Sequence, residues 1–553
     1  MTVPVLKITG LSLETRSARP KAILKGVDIE IKSGETVCIV GESGSGKSVT
    51  SLAVMGLLAR DSLARPTGSI LLEGGELIDA SEHRLRQLRA SRMAMVFQEP
   101  MTALNPVHSV GRQIDEVLRL HTDMNRVERR ERVLAMLRDV HLPDVERIYH
   151  SYPHQLSGGQ RQRIVISMAL VLKPALLICD EPTTALDVTT QKQILNLIRE
   201  LQVKHKTAVM FITHDFGVVA EIADRIVVMN HGSIVEQGER QTILERPGQP
   251  YTRMLVSSVP SLVPHVRPEP VTKTVLEVKA LAKTYHVETS FFGGNNRVVS
   301  AATDVNLVVR QGEILGIVGE SGSGKSTVAR CIVRLVDPTS GSVQIDGQEI
   351  AGTAASALRK MRKDIQIVFQ DPYRSLNPRR RVGESILEGL INFGVPRIEA
   401  LKRARELLEL VRIDSDAMQR YPHQFSGGQR QRICIARALA LEPRLLVADE
   451  AVSALDVSVQ AQILALLEEI RRKTNIGVLF ITHDLRVAAQ ICDTVIVMQK
   501  GRIVEAGPVG RVLAAPREAY TRALIDAAPG RHWDFQNFRP ASVKAAGLET
   551  VTE

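Results

Sequence analysis

The chain has 553 residues, 44% of them apolar, which is enough for two to four domains with large cores. Its net charge is +10, but both signs are spread along the chain and only 3% of residues are aromatic, so we expect no nucleic-acid partner. The first residues do not resemble a secretory signal and no segment approaches 18 uninterrupted apolar residues, which argues against export and against a membrane-spanning helix.

An apolar run at 35–40 leads into the octapeptide Gly-Glu-Ser-Gly-Ser-Gly-Lys-Ser, and the same octapeptide follows an apolar run at 313–318. It fits the phosphate-loop pattern, in which backbone N–H groups surround phosphate oxygens, the lysine reaches the terminal phosphates and the serine hydroxyl binds magnesium. We expect each loop to lie between a buried strand and a helix N-terminus, where anions bind well. The predicted nucleotide-binding residues are Gly41, Glu42, Ser43, Gly44, Ser45, Gly46, Lys47 and Ser48, and Gly319, Glu320, Ser321, Gly322, Ser323, Gly324, Lys325 and Ser326.

The second anion-binding motif is Tyr-Pro-His-Gln-Leu-Ser-Gly-Gly-Gln-Arg-Gln-Arg, which starts at Tyr152 and recurs from Tyr421 with Phe in place of Leu. A serine hydroxyl and glycine N–H groups at the start of a helix form a site for an anion. The residues of this kind are Ser157, Gly158 and Gly159 in the first copy and Ser426, Gly427 and Gly428 in the second.

Two carboxylates end an apolar strand in each half, Asp180-Glu181 and Asp449-Glu450. The first carboxylate of each pair is suited to hold magnesium through water, and the second to orient or deprotonate an attacking water. Such a pair is often only a solvated loop start, but the phosphate loops upstream favour the catalytic interpretation.

Corresponding motifs of the two halves are separated by a nearly fixed offset, 278 residues for the loop lysines and 269 for the first aspartates. The sequence therefore predicts two similar domains at 1–258 and 275–528. Between them, residues 259–274 are rich in proline and should form an extended, semi-rigid linker, and the tail at 529–553 has no assigned role. Alternating apolar strands and helical stretches predict an α/β fold with a largely parallel sheet.

The five cysteines form no Cys-x-x-Cys pair, so we expect them to be reduced and buried in a cytoplasmic protein.

The string Leu-Ser-Gly-Gly-Gln before a helix resembles the signature of ATP-binding-cassette ATPases. Further matches are Gln98 and Gln370 after an apolar strand, Ala-Leu-Asp at 185–187 and 454–456, and His214 and His483 in Ile-Thr-His-Asp, which resemble the lid glutamine, dimer-contact aspartate and switch histidine of that family. The resemblance covers roughly 5–258 and 275–528. It implies two tandem P-loop NTPase domains, each with a helical subdomain and an antiparallel β portion beside the parallel core.

The resemblance also implies that ATP and magnesium are the cofactors and that each ATP site combines residues of both halves. Catalysis is implied for Glu181, His214 and Gln98, and for Glu450, His483 and Gln370. Magnesium ligation is implied for Ser48, Gln98 and Asp180, and for Ser326, Gln370 and Asp449. Site one would add Ser426, Gly427 and Gly428 to the first loop, and site two would add Ser157, Gly158 and Gly159 to the second loop. Since neither half lacks the glutamate, we expect both sites to hydrolyse ATP.

Two positions depart from the symmetry of the halves. An aromatic residue upstream of the phosphate loop stacks on adenine in the family; Tyr285 matches it, but Thr15 stands at the aligned position of the first half. The turn after the catalytic glutamate has Ala451 where the first half has Pro182, so proline's fixed φ is absent there.

The segments after the two lid glutamines, 99–106 and 371–378, and the tails that begin Pro-Tyr-Thr-Arg and Ala-Tyr-Thr-Arg resemble the oligopeptide, dipeptide and nickel importer branch of the family. This implies an energy-coupling ATPase for import of di- or oligopeptides or glutathione-like peptides. The implied partners are two integral-membrane permease subunits and a separate solute-binding protein, and the implied location is peripheral, on the cytoplasmic face of the inner membrane.

The sequence leaves a nickel or other small-solute importer open. A ribosome-associated tandem-cassette factor is the alternative from another class, but the short proline-rich linker and the importer-type tails argue against it. A DNA-repair ATPase of this family would need zinc cysteines inside the cassettes, and the sequence has none there.

Overall fold

The computed structural model describes residues 3–98, 100–183, 186–264, 273–287, 297–453 and 455–541. Glu99, Ala185, Ala454, most of the predicted linker and the tail after 541 lie outside these residues. The chain divides into two compact units, the first made of residues up to Val259 together with His532–Pro540 and the second of Pro260–Arg531.

The first unit contains a mainly parallel sheet and a separate antiparallel one. Its strands are β1 (Leu6–Glu14), β2 (Ala22–Ile31), β3 (Thr36–Val40), β4 (Thr67–Leu72), β5 (Gly75–Glu76), β6 (Met93–Val96), β7 (Leu176–Asp180), β8 (Ala208–Ile212), β9 (Arg225–Asn230) and β10 (Ser233–Glu239). The six-stranded sheet has the order β10-β9-β3-β8-β7-β6, with only the β9–β10 pair antiparallel. The antiparallel sheet has the order β2-β1-β4-β5.

The helices of the first unit cover its sheets and form a helical region between β6 and β7. They are α1 (Lys47–Met55), α2 (Glu82–Leu88), α3 (Pro100–Ala103), α4 (Val110–His121), α5 (Arg126–Asp139), α6 (Val145–His150), α7 (Gly158–Leu170), α8 (Val188–His205), α9 (Phe216–Ile222), α10 (Arg240–Glu245) and α11 (Pro250–Ser257). Strands β3, β7 and β8 are buried along their whole length, as expected for a parallel sheet with both faces covered.

The second unit repeats this arrangement. Its strands are β11 (Thr274–Val287), β12 (Arg297–Arg310), β13 (Ile314–Val318), β14 (Ser340–Ile345), β15 (Gln348–Glu349), β16 (Ile365–Val368), β17 (Leu445–Asp449), β18 (Gly477–Ile481), β19 (Thr494–Gln499) and β20 (Arg502–Pro508). Its helices are α12 (Lys325–Ile332), α13 (Ala355–Met361), α14 (Pro372–Ser375), α15 (Val382–Asn392), α16 (Arg397–Leu410), α17 (Gly427–Leu439), α18 (Val457–Thr474), α19 (Leu485–Ile491), α20 (Val509–Ala514) and α21 (Ala519–Ala527). The sheet orders are β16-β17-β18-β13-β19-β20 and β12-β11-β14-β15.

These units confirm the predicted α/β class with a largely parallel core, an antiparallel portion and a helical part. All five cysteines are free and buried, as the sequence predicts. Within the described residues, no helix is both long and apolar enough to cross a bilayer.

The described part of the tail folds into the first unit. Strands β21 (Trp533–Asp534) and β22 (Arg539–Pro540) pair across a 3-10 turn, and this turn contacts α11. Phe535 in that turn is only 2% exposed, so an apolar side chain anchors the segment. No role was predicted for this segment from the sequence.

The connectivity of the parallel sheet places the predicted site residues at one edge. Because neighbouring parallel strands end at the same side of a sheet, the segments after β3, β6, β7 and β8 meet there. Those segments carry the phosphate loop, Gln98, Glu181 and His214 respectively, and the second unit places its equivalents after β13, β16, β17 and β18.

Candidate nucleotide-binding sites

The phosphate loops turn sharply at glycines that no other residue could replace without strain. Gly41 has φ 150°, and a Cβ there would lie 2.2 Å from the carbonyl oxygen of Met229 on β9. Gly319 has the same φ, and its Cβ would lie 2.3 Å from the carbonyl oxygen of Met498 on β19. The loop can therefore close against the neighbouring strand only because these positions lack a side chain.

The loop lysines are buried and fold back over their own loops. Lys47 Nζ donates to the carbonyl oxygens of Gly41 at 2.7 Å and Glu42 at 2.9 Å. In the second unit, Lys325 Nζ donates to the corresponding oxygens at 2.8 and 2.7 Å. Each lysine is also the first residue of its helix, so a positive charge and the free N–H groups of the helix start occur together, an arrangement that attracts phosphate.

The loop serine and the first strand-end aspartate form a pair of oxygen donors in each unit. Ser48 Oγ donates to Asp180 Oδ1 at 3.0 Å, and Ser326 Oγ donates to Asp449 Oδ1 at 2.9 Å. Burial, together with the neighbouring glutamate, raises the pKa of each aspartate, against the opposing effect of the serine hydrogen bond. These side chains are therefore not the solvated loop start that such a pair often is.

This donor set fits magnesium, which prefers hard oxygen ligands and binds through one or two protein groups plus substrate phosphates. Among the described residues there is no cluster of three or more acidic, histidine or cysteine side chains that would hold a metal without phosphate. The residues present suit an ion that arrives with a nucleotide.

The catalytic-candidate glutamate of the first unit is held by the two residues predicted to act with it. Gln98 Nε2 donates to Glu181 Oε2 at 2.8 Å, and His214 Nδ1 lies 3.0 Å from Glu181 Oε1. The three side chains follow β6, β7 and β8, so three adjacent strands supply one cluster. The structure thus brings together residues separated by 83 and 33 positions in the chain.

The second unit builds the same cluster around Glu450. Gln370 Nε2 donates to Glu450 Oε2 at 2.8 Å, and His483 Nδ1 lies 3.5 Å from the same oxygen. Burial alone would raise the pKa of Glu450, but its hydrogen bond to His483 and the positive charges of His483 and Lys325 leave that pKa below its ordinary value. Conversely, burial opposes protonation of His483, and the interaction with Glu450 still raises its pKa.

Both glutamates have a left-handed backbone, with φ 47° at Glu181 and 50° at Glu450. Their N–H groups donate to the carbonyl oxygens of Ile212 at 2.9 Å and Ile481 at 3.0 Å, on the adjacent strand. A non-glycine residue in this region of φ/ψ space costs free energy and is typically found at functional sites.

The signature motifs begin helices α7 and α17. Ser157 Oγ accepts from the N–H of Gln160 at 3.3 Å, and the Gln160 side chain accepts from Ser157 N–H at 3.0 Å, which is a capping box. Ser426 and Gln429 make the same two bonds. In the described residues these serines bond to their own helices, and no such bond joins them to the phosphate loop of the same unit.

The two signature glycines have different surroundings. A Cβ at Gly159 would lie 2.5 Å from the Thr190 side chain, so this glycine permits close packing of α7 on α8. A Cβ at Gly158 would meet nothing closer than 4.0 Å, so packing within the unit does not require a glycine there. The second unit agrees: a Cβ at Gly428 would lie 2.3 Å from the Val459 side chain, and a Cβ at Gly427 would meet nothing closer than 3.8 Å. Gly158 and Gly427 leave room for another group to approach the helix start.

The position predicted to stack on adenine differs between the units. Tyr285 is 37% exposed, with Lys283 Nζ 5.0 Å from its ring centroid. Thr15 directly follows β1 and forms an isolated β-bridge with Leu63, and its hydroxyl accepts from Lys21 N–H at 2.8 Å. The first unit has no aromatic ring at this position.

Sequence reasoning missed one contact with each loop. The hydroxyl oxygen of Tyr251 lies 3.3 Å from the backbone nitrogen of Glu42, and that of Tyr520 lies 3.2 Å from the backbone nitrogen of Glu320. The repeated Tyr-Thr-Arg of the two tails was the only sequence signal of these tyrosines.

Each unit has the arrangement of a P-loop ATPase. The phosphate loop follows β3 or β13, the Asp-Glu pair lies at the end of β7 or β17, and the histidine follows the strand between them, β8 or β18. The family model described as ABC transporter matches residues 24–184 and 302–453. The model described as oligopeptide/dipeptide transporter, C-terminal region, matches 235–284 and 504–542. The chain belongs to the ABC transporter family, and its two cassettes are ATPases.

Among curated proteins, the chain is similar to the glutathione import ATP-binding protein GsiA of Escherichia coli (strain K12) and of Salmonella typhimurium. Each is 45% identical over 557 residues, which covers 95% of this chain and 89% of the relative. Among solved structures, it matches the ATP-binding cassette MJ0796 bound to ADP and Pi, with 32% identity, a TM-score of 0.38 and coverage of 42% of this chain and 98% of that chain.

Proposed function

We propose that this chain is the ATP-hydrolysing, energy-coupling subunit of a membrane importer for peptides, either di- or oligopeptides or glutathione-like peptides. The observation that carries the proposal is the oligopeptide/dipeptide transporter C-terminal region found after each cassette. The relatives named for glutathione import support it, since they align with nearly the whole chain.

In each site, we assign ATP binding to the phosphate loop and its lysine, and water activation to Glu181 or Glu450. The Gln98 and Gln370 amides donate to these glutamates, and His214 and His483 contact the same carboxylates, so both kinds of residue would orient the glutamate. Ser48 with Asp180, and Ser326 with Asp449, would hold magnesium, which neutralises phosphate charge when bound. Gln98 and Gln370 remain predicted magnesium ligands as well.

The pairing of each loop with the signature of the other half remains a prediction from the family resemblance. In that mechanism ATP draws the cassettes together, hydrolysis releases them, and the segments after the lid glutamines transmit the movement. Gly158 and Gly427 support the assignment because a Cβ at either position would fit without a clash inside its own unit, so internal packing does not explain the glycine.

The proposed partners are two integral-membrane permease subunits and a separate solute-binding protein, with this chain peripheral on the cytoplasmic face of the inner membrane. The imported solute would be selected by the permease and the binding protein. A nickel or other small-solute importer of the same branch is the remaining alternative.

The partner should be tested first by co-purification. Tagged protein carrying both Glu181→Gln and Glu450→Gln should retain ATP, so in detergent with ATP and magnesium we expect two integral-membrane permease subunits to co-purify and be identified by mass spectrometry. The matched control adds Lys47→Ala and Lys325→Ala, which should lose nucleotide and reduce the yield of partners. Ribosomal proteins in the first sample and not in the control would overturn the importer assignment.

The solute should then be tested with the purified complex. We expect its ATPase activity in lipid discs to rise when the cognate binding protein is added with glutathione or a short peptide. Stimulation by nickel ions and not by any peptide would replace the peptide assignment with the nickel alternative.

A further inference from the structure

The second helix of each C-terminal extension, α11 in the first unit and α21 in the second, reaches the phosphate loop of its own unit. Helix α11 begins at Pro250, and the hydroxyl of its second residue, Tyr251, accepts from the backbone N–H of Glu42 at 3.3 Å. Helix α21 begins at Ala519, and the hydroxyl of Tyr520 accepts from the backbone N–H of Glu320 at 3.2 Å. The contact therefore occurs twice in one chain, between residues 209 and 200 positions apart.

Each tyrosine bonds to the same peptide group that receives the loop lysine. In the first unit, the Gly41–Glu42 peptide accepts from Lys47 Nζ at its carbonyl oxygen, at 2.7 Å, and donates to Tyr251 at its nitrogen. The Gly319–Glu320 peptide is held in the same way, with a distance of 2.8 Å from Lys325 Nζ to its carbonyl oxygen. Hydrogen bonds at both ends of one peptide group polarise it and strengthen each other.

The extension helices are anchored at their starts, so the tyrosines have defined positions. Glu236 on β10 accepts from the N–H groups of Gly248 and Gln249 at 2.7 and 3.1 Å, directly before α11. Glu505 on β20 does the same for the N–H groups of Arg517 and Glu518, at 3.0 and 3.3 Å, before α21.

The residues after the tyrosines complete this anchoring. Thr252 and Thr521 have no exposed surface, which fixes the first turn of each helix against the core. The tyrosine ring therefore approaches the loop from a rigid support.

We propose that Tyr251 and Tyr520 are positioning residues of the two ATP sites. Their hydroxyl groups fix the first peptide of the phosphate loop and, through it, the lysine that binds phosphate, so the C-terminal extension contributes to nucleotide affinity. The inference concerns ATP binding and holds whichever solute is imported.

The test replaces each tyrosine with phenylalanine, which removes the hydroxyl and keeps the ring. Because an ordered loop contributes equally to binding of ATP and of the transition state, we expect the KM for ATP to rise while kcat at saturating ATP stays nearly unchanged. Loss of the hydrogen bond to the loop should raise KM and the Kd for ATP about two- to tenfold. In Tyr251→Phe the bond that the hydroxyl donates to Glu42 Oε2 at 3.4 Å is lost as well. Full-length Tyr251→Phe, Tyr520→Phe and double variants should be compared in steady-state ATP hydrolysis.

Two controls separate positioning from a purely structural role. Tyr149→Phe makes the same chemical change on α6, which contributes nothing to the site, and should leave KM unchanged. Photo-crosslinking with 8-azido-ATP below saturation should show less labelling of the first loop in Tyr251→Phe and of the second loop in Tyr520→Phe. A lower Tm with unchanged KM and unchanged labelling in both variants would overturn the proposal, as would equal changes in Tyr149→Phe.

Discussion

In the first unit Gln98 donates to Glu181 over 2.8 Å, and in the second unit Gln370 donates to Glu450 over the same distance. The distances from loop serine to aspartate differ by only 0.1 Å, 3.0 against 2.9 Å. The groups proposed to bind phosphate, magnesium and water are therefore arranged alike in the two units. At the adenine end they differ, because Tyr285 has no aromatic counterpart in the first unit. The residues proposed for hydrolysis are thus present in both units, whereas the residue proposed to stack on adenine is present in one.

A smaller difference lies within the glutamate clusters. In the first unit Gln98 and His214 bond to different oxygens of Glu181. In the second, the glutamine and His483 both approach Oε2 of Glu450, and the glutamine also donates to Ser453 Oγ at 3.4 Å. The histidine contact is longer in the second unit, 3.5 against 3.0 Å, but in both units a glutamine and a histidine contact the glutamate.

Equal catalytic clusters predict equal losses when either glutamate is neutralised. Glu181→Gln and Glu450→Gln keep the side-chain size and remove the base, so hydrolysis at the altered site should fall about 10²- to 10⁴-fold while ATP still binds. Single-turnover hydrolysis and nucleotide retention would measure both effects. Glu200→Gln, at an exposed residue on α8, is the matched control and should be silent. A strong loss in one variant with unchanged turnover in the other would break the equivalence of the two units.

The signature serines test whether the sites are shared between units. The resemblance predicts that Ser157→Arg damages nucleotide handling at the second loop and Ser426→Arg at the first, about 10²-fold in turnover, because each removes an anion-stabilising donor and adds bulk. Site-specific nucleotide crosslinking would locate the damage. Ser157→Asn retains the helix cap and controls for loss of α7. Damage confined to the unit that carries the substitution would contradict the predicted pairing.

The sequence was most informative where local chemistry and burial coincide. The all-buried strands β3 and β7 end at the phosphate loop and at Asp180, and both could be predicted because an apolar run followed by functional polar residues has few other interpretations. The order of motifs also allowed Gln98, Glu181 and His214 to be grouped before their strands were known to be adjacent.

Contacts that depend on tertiary packing could not be predicted in this way. The hydrogen bond between Tyr251 and the loop joins residues 209 positions apart, and it forms only because the fold brings α11 to the loop. Phe535 is buried and its turn contacts α11, although its short, mixed sequence context gave no sign of a partner. The left-handed backbone of Glu181 likewise has no signal in residue type, since glutamate does not favour it.

The adenine end should show the clearest difference in affinity. Stacking of a base on an aromatic ring contributes about 1–3 kcal/mol, so Tyr285→Ala should weaken ATP binding at the second loop by about tenfold or more. Thr15→Tyr should strengthen binding at the first loop by less, because it also removes the hydrogen bond from Lys21 N–H. Titration of each loop by 8-azido-ATP crosslinking would measure both changes, with Tyr285→Phe as the control that keeps the ring. An unchanged affinity in Tyr285→Ala would remove base stacking from the comparison.

The smallest expected effect concerns the turn after the glutamate. Pro182 and Ala451 are both buried, and the preceding glutamates have nearly the same φ, so the two turns begin alike and the first unit already has proline at this position. No hydrogen bond of the described residues uses the Ala451 N–H, so proline would remove none. Ala451→Pro should therefore stabilise the second unit by about 0.4–1 kcal/mol, through a less flexible unfolded chain.

Thermal unfolding would detect this as a rise in Tm of about 1–4 °C, with ATP hydrolysis unchanged. The reverse substitution, Pro182→Ala, should lower the Tm of the first unit by a similar amount. If Ala451→Pro instead lowered both Tm and turnover, the strained backbone of Glu450 would depend on alanine at the next position. Glu181 and Glu450 would then have the same φ for different reasons, one followed by proline and the other dependent on alanine. The two glutamate clusters would be less equivalent than their hydrogen bonds indicate.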